Sequence, residues 1–74
     1  MDLDEDHKAI LDILSKYGEL NITRIVRYTG LHFRTVTRKL KDLVINGYVE
    51  ERRYGRLRLY RIKGKPWGYE TFNP

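Results

Sequence analysis

Apolar residues recur along this chain first at helical spacing and then at strand spacing, and the change of period falls near residue 47. Ile10, Leu11, Leu14 and Tyr17 follow the i, i+1, i+4, i+7 rule and predict a helix over residues 4–17 with one apolar stripe. Asp4, Glu5 and Asp6 sit where the helix dipole favours negative charge, Lys16 sits near the other end, and Gly18 is placed to stop the helix. His7 lies on or beside that stripe. No second ligand or catalytic partner stands at helical spacing from it, which favours a structural or edge role. A shorter helix is predicted over 22–29, with Asn21 as N-cap and Ile22, Ile25 and Val26 facing inward. Thr29-Gly30-Leu31 breaks it. A third helix is predicted from Phe33 to Asn46. With Val36 at the origin of a helical wheel, Leu40, Leu43 and Val44 fall within about 80° of it, while Arg34, Arg38 and Lys41 lie opposite, at about 140–200°. Asn46-Gly47 ends that helix.

Tyr48–Tyr54 and Leu57–Lys63 then read as two strands joined around Gly55-Arg56. Leu57 and Leu59 share one parity and compete with Tyr60 and Ile62 for the inward face, so alternation alone leaves that face open. The fold class expected is α+β, three helices followed by a two-stranded hairpin.

Charge changes the picture. Thirteen of the fifteen basic residues fall within 24–65, against three acids, so this stretch nets +10, whereas residues 1–23 net −4. So lopsided a chain calls for a polyanionic partner, of which double-stranded nucleic acid is the commonest. Its 74 residues suit one small domain, expected at 1–65, followed by an aromatic tail at 66–74 carrying Trp67, Tyr69 and Phe72. For these three aromatics, packing on the domain's own core, a dimer seam, disorder and DNA stacking all stay open. No apolar run of membrane-spanning length occurs. The acidic start is unlike a signal peptide, so the expected location is cytoplasmic and nucleoid-associated. With zero cysteines, disulfides, thiolate metal sites and thiol catalysis are excluded.

The run ITRIVRYTGLHFRTVTRKLKDLVINGYVEE carries Ile25, Val26, Gly30, Leu31, Val36, Arg38, Leu40, Leu43, Gly47, Tyr48 and Val49 at fixed spacings. In these positions the chain resembles the winged helix-turn-helix family over about residues 8–63, and is similar to small archaeal, bacterial or viral transcription regulators. His32 departs from the pattern: it takes the N-cap place where Ser, Thr, Asn or Asp is favoured. A ring nitrogen can accept there, and plain capping or exposure is favoured over a sensing or contact role.

The resemblance implies that the helix over 33–46 enters a major groove. The residues agree: Arg34, Thr35, Thr37 and Arg38 fill its first turn and a half outside the core arc, with Arg suited to guanine and Thr to a base, a thymine methyl or a phosphate. Lys41, Lys39, Arg24 and Arg27 add charge. Phe33 falls at the edge of the core arc, which favours a hydrophobic staple or core-edge role over stacking on a base. The wing, 52–58, brings Arg52, Arg53, Arg56 and Arg58 towards a minor groove or flanking phosphates, with Arg56 at the tip the first choice for groove entry. Glu50 and Glu51 are expected to pair with neighbouring bases.

An enzyme is not expected: neither histidine has a carboxylate or hydroxyl partner at a recognised spacing, and no phosphate loop or metal-ligand cluster occurs. No catalytic residue, cofactor, metal or small-molecule substrate is assigned. The leading reading is a sequence-specific double-stranded-DNA-binding transcription regulator acting as a homodimer. The alternatives are a protein-interaction winged helix in a larger assembly, and a non-specific nucleoid or RNA binder.

Overall fold

The capping chemistry read from the sequence sets where each element begins. In the computed structural model, which describes residues 1–64, helix α1 spans Glu5–Tyr17, α2 Ile22–Thr29 and α3 Phe33–Ile45, followed by strands β1 (Val49–Tyr54) and β2 (Leu57–Ile62). Asp4 caps α1 by accepting from the His7 amide at 2.9 Å, and His7 Nδ1 accepts in return from the Asp4 amide at 3.1 Å. This is a capping box with histidine in the place of Glu or Gln. Asn21 Oδ1 accepts from the Arg24 amide at 2.8 Å and starts α2. Gly30 ends α2 in the left-handed conformation (φ 74°), which a residue without Cβ adopts at little cost. The Thr29 hydroxyl, donating to the Ile25 carbonyl at 2.7 Å and accepting from the Leu31 amide at 3.2 Å, holds the turn into α3.

The three helices and the ribbon close on one core of Ile10, Leu14, Leu20, Ile25, Val36, Leu40, Leu43, Val49 and Tyr60. Every helix contributes its apolar stripe, and burying each of these aliphatic side chains is worth about 1.5–3 kcal/mol. β1 and β2 pair antiparallel in the register Val49↔Ile62, Glu51↔Tyr60 and Arg53↔Arg58. Leu20 exchanges two backbone hydrogen bonds with Tyr60, at 3.0 and 2.9 Å, and ties the segment before α2 to β2. That anchoring settles the inward parity: Val49 and Tyr60 are buried, while Leu57 lies exposed on the opposite face.

Two expectations fail on the helices. Tyr17, placed on the α1 stripe, is exposed and stacks on Tyr28 of α2, ring centroids 4.3 Å apart. It stands at the last residue of α1, past Leu14, where the stripe runs off the body. Phe33 is not at the core edge: it is 57% exposed. The wheel gives a direction but not what stands there, and Val36 is the first residue of α3 to be buried. Lys65 and the tail residues Trp67, Tyr69 and Phe72, with the expected 65/66 boundary, lie outside the described residues.

Candidate nucleic-acid interface

Because Val36, Leu40 and Leu43 are buried, helical geometry obliges the other side of α3 to face outward. Arg34, Thr37, Arg38 and Lys41 are exposed there, and Thr35 is half-buried at the rim. His32 caps the helix through Nδ1, which accepts from the Arg34 amide at 3.1 Å. Among the described residues Arg34, Arg38 and Lys41 take part in no ion pair. Their charge is compensated by nothing in this part of the chain.

Lys39 behaves differently. It turns to the α1 side and pairs with Asp4, so it leaves the outer cationic set. Beside it, His7 is buried at the α1–α3 seam, with Nε2 3.1 Å from Asp42 Oδ2 and Nδ1 within reach of both the amide and the carboxylate of Asp4. Nδ1 acts as acceptor for the amide in the capping box, which leaves Nε2 as the donor to Asp42. The reading that His7 lacks a carboxylate partner is therefore wrong. Asp4 stood three residues away as a cap-and-box spacing in plain sight, whereas Asp42, 35 residues on, reaches His7 only through tertiary packing. Lys39 and the His7 amide hold the Asp4 carboxyl down at about 2.

The ribbon sorts its arginines between two faces, since successive side chains point to opposite sides. The face bearing Arg53 and Arg58 looks towards α3. With Thr37, Lys41 and Ile45 it lines a cleft of about 350 Å³. Arg53 and Arg58 are directly opposed in register, a like-charge pair that repels. Glu51, next along the same face, relieves it: Oε1 accepts from Arg53 Nε at 3.1 Å and Oε2 from the Tyr60 hydroxyl at 2.7 Å. The Tyr60 hydroxyl bond, then Arg53, holds the Glu51 carboxyl below the ordinary range, while burial and Glu51 push the Tyr60 phenol up to about 12. Glu50 pairs with Arg61 at 2.7 Å and is lowered by it. Both glutamates therefore pair as the sequence suggests.

Arg52 sits on the other face, its guanidinium 5.5 Å from the Tyr54 ring centroid and beside Glu19, Leu57 and Leu59. Arg56 is exposed at the tip, where it and Arg58 border Asn21 and Thr23 of the α2 start. Arg24 and Arg27 are exposed on α2, and Arg24 donates to the Tyr28 hydroxyl at 3.4 Å. The structure thus brings Thr37, Lys41, Arg53 and Arg58 around one cleft and sets Arg34 and Arg38 on the same helix, but separates Arg52 from them.

Three helices with a tight turn between the second and third, then a two-stranded ribbon against the third, is a defined architecture. The chain is a winged helix-turn-helix domain. Its fold matches the crystal structure of a fragment (residues 1–100) of a possible transcriptional regulatory protein from Mycobacterium bovis, with a TM-score of 0.75 and 36% identity, over 82% of this chain and 64% of that one. A solution structure from the same organism, of a homodimeric winged helix-turn-helix DNA-binding domain of a possible ArsR-family regulator, matches with a TM-score of 0.74 at 36% identity, over 82% of this chain and 56% of that one. Both structures are of the same fragment, and this chain spans less than two thirds of it in either. A MarR-family transcriptional regulator from Silicibacter pomeroyi shares the fold alone, at 22% identity and a TM-score of 0.74, over 92% of this chain and 46% of that one. No protein-family model matches the sequence, and no curated protein does. Among the described residues, no group of three or more His, Cys, Asp or Glu is placed to hold a metal ion, and no helix is long and apolar enough to cross a membrane.

Proposed function

We propose that this winged helix is the double-stranded-DNA-binding part of a transcription regulator, reading sequence with α3 in the major groove and gripping flanking backbone or minor groove with the ribbon. The observation that carries this reading is the outer face of α3. Arg34, Arg38 and Lys41 stand exposed with no ion-pair partner among the described residues, beside a ribbon face that adds Arg53 and Arg58. Like charges gathered this closely repel in the free protein, and a phosphate backbone relieves them by releasing its own counterions. Arg24, Arg27 and Arg56 extend the positive surface along α2 and the ribbon tip. Thr35 and Thr37 complete the leading turns of α3, while Arg52 contributes charge from the far face of the ribbon.

One recognition helix reads only a few base pairs. Two copies about one helical turn apart multiply specificity, and the homodimeric Mycobacterium bovis relative supports a dimer here. The role is binding rather than catalysis, and its place is wherever the cell keeps its DNA, the cytoplasm and nucleoid of a prokaryote. Selection of random duplexes on the purified protein, followed by size-exclusion of free and bound forms, tests both parts. A recovered consensus with two half-sites and a bound dimer is expected. Equal affinity for every duplex, at any salt concentration, ends the sequence-specific reading.

A further inference from the structure

The most exposed aromatic side chain among the described residues stands at the leading end of α3. Phe33 is 57% exposed, against 46% for Tyr17 and 39% for Tyr28, which cover each other by stacking. Unlike a tyrosine, it has no polar tip to keep in water. An apolar ring more than half exposed, outside a core that Val36, Leu40 and Leu43 fill one turn later, contributes little to the free fold.

Thr37 lies four residues further on, on the same side of the helix. Its hydroxyl donates to the Phe33 carbonyl at 2.9 Å. The one proton this exposed side chain has to give is thereby used within the helix, so what it can still offer an apolar group is its methyl. Phe33 and Thr37 thus make a short strip with no donor to offer a base edge, bordered by Arg34, Arg38 and Lys41, which have many.

We propose that Phe33 and Thr37 are specificity-determining residues that read thymine C5-methyl groups. This rests on the placement of α3 in the major groove. The thymine methyl is the apolar group a base pair presents there, and phenylalanine and the threonine methyl are matched to it, whereas the flanking cations take guanine or phosphate. Four residues of helix rise about 6 Å, a little under two base steps of about 3.4 Å. The two thymines are accordingly one or two steps apart in the target.

The test replaces each thymine of the duplex selected by the wild-type protein, in turn, with uracil, which differs by the methyl alone. Binding is measured for wild type, Phe33→Ala and Thr37→Ser, the latter keeping the hydroxyl and its bond to the Phe33 carbonyl. Circular dichroism checks that each variant is folded, and Phe33→Leu supplies a second probe of the same position. Uracil at one thymine is expected to weaken wild type about fourfold, the worth of burying one methyl, and to leave Phe33→Ala indifferent. A second thymine within two steps behaves likewise with Thr37→Ser. Uracil tolerated at every position overturns the proposal. So does a loss on Phe33→Ala that is the same with thymine and uracil, which marks a wedge or stacking role instead, and so does a selected site without thymine. Failure of the groove placement itself reads out separately, as Arg34→Ala and Arg38→Ala binding every duplex as wild type does.

Discussion

Helix α3 carries charge on two sides, and the two are treated in opposite ways. On the side towards α1, Lys39 and Asp42 are both engaged, the first by Asp4 and the second by the buried His7, so both charges that α3 brings to that seam have a partner. On the far side Arg34, Arg38 and Lys41 have none among the described residues. Neighbouring turns of one helix thus separate charges tied into the fold from charges with no ion-pair partner among the described residues. The ribbon repeats the contrast on a smaller scale: Glu51 steadies Arg53 through Nε, while the tip arginine, Arg56, stays open. On α3, compensated charge marks architecture, and uncompensated charge marks the surface for which we propose a partner.

The largest way to break this contrast is to remove what keeps the two sides apart. Leu40→Ala is expected to cost about 3 kcal/mol of stability, measured by urea denaturation, because a fully buried side chain leaves a cavity between α3 and the body. Next come the open charges. Arg34→Ala or Arg38→Ala is expected to lose about 1–3 kcal/mol of discrimination between a selected and a random duplex with no change in the urea midpoint, whereas Arg56→Ala weakens all duplexes and lowers the salt slope by about one. A destabilised Arg38→Ala protein with unchanged binding would place that residue among the architectural charges after all. At the seam the pattern inverts. His7→Ala is expected to destabilise by about 1–2 kcal/mol, since the Asp4 amide and the Asp42 carboxylate lose their partner, and to leave the salt slope of DNA binding as it was.

The smallest effect is the pH dependence. Asp4 has its carboxyl lowered from 3.8 to about 2 in the folded chain, so its contribution is present above about pH 4 and is lost as pH falls towards 2. Glu50 and Glu51, also lowered, act with the same sign. Tyr60, raised from 10 to about 12, contributes stability that is lost as pH rises across that interval. Thermal midpoints from pH 2 to 5 should show Lys39→Met with a shallower acid limb than wild type. Identical limbs would mean that the Lys39–Asp4 pair is not formed in solution.

Much of this was legible in the linear pattern. Helices, turns and both strands lie within a residue or two of where periodicity and capping residues put them, because N-caps, Gly30 and the period of the apolar positions act over a few neighbours. The misreadings share one cause. Phe33 and Tyr17 have the right direction for burial but stand at helix ends, beyond the reach of the core. Lys39 belongs with the outer cations by its place in the sequence, and only packing brings Asp4 to it. Arg52 and Arg53 are adjacent in sequence, yet the pleat of the ribbon sends one towards α3 and the other away from it.

What the sequence determined by itself was the set of elements, the stripe of α3 that is buried, and hence the outward direction of Arg34 and Arg38, since all three follow from local geometry at 100° or 180° per residue. Tertiary structure alone decided the parity of β2, which the Leu20–Tyr60 backbone pairing fixes, and the capture of His7 between Asp4 and Asp42. It also decided that Phe33 is left in the open. Those outcomes depend on which distant residues arrive alongside, and no spacing along a chain encodes the distance between segments that meet only after folding.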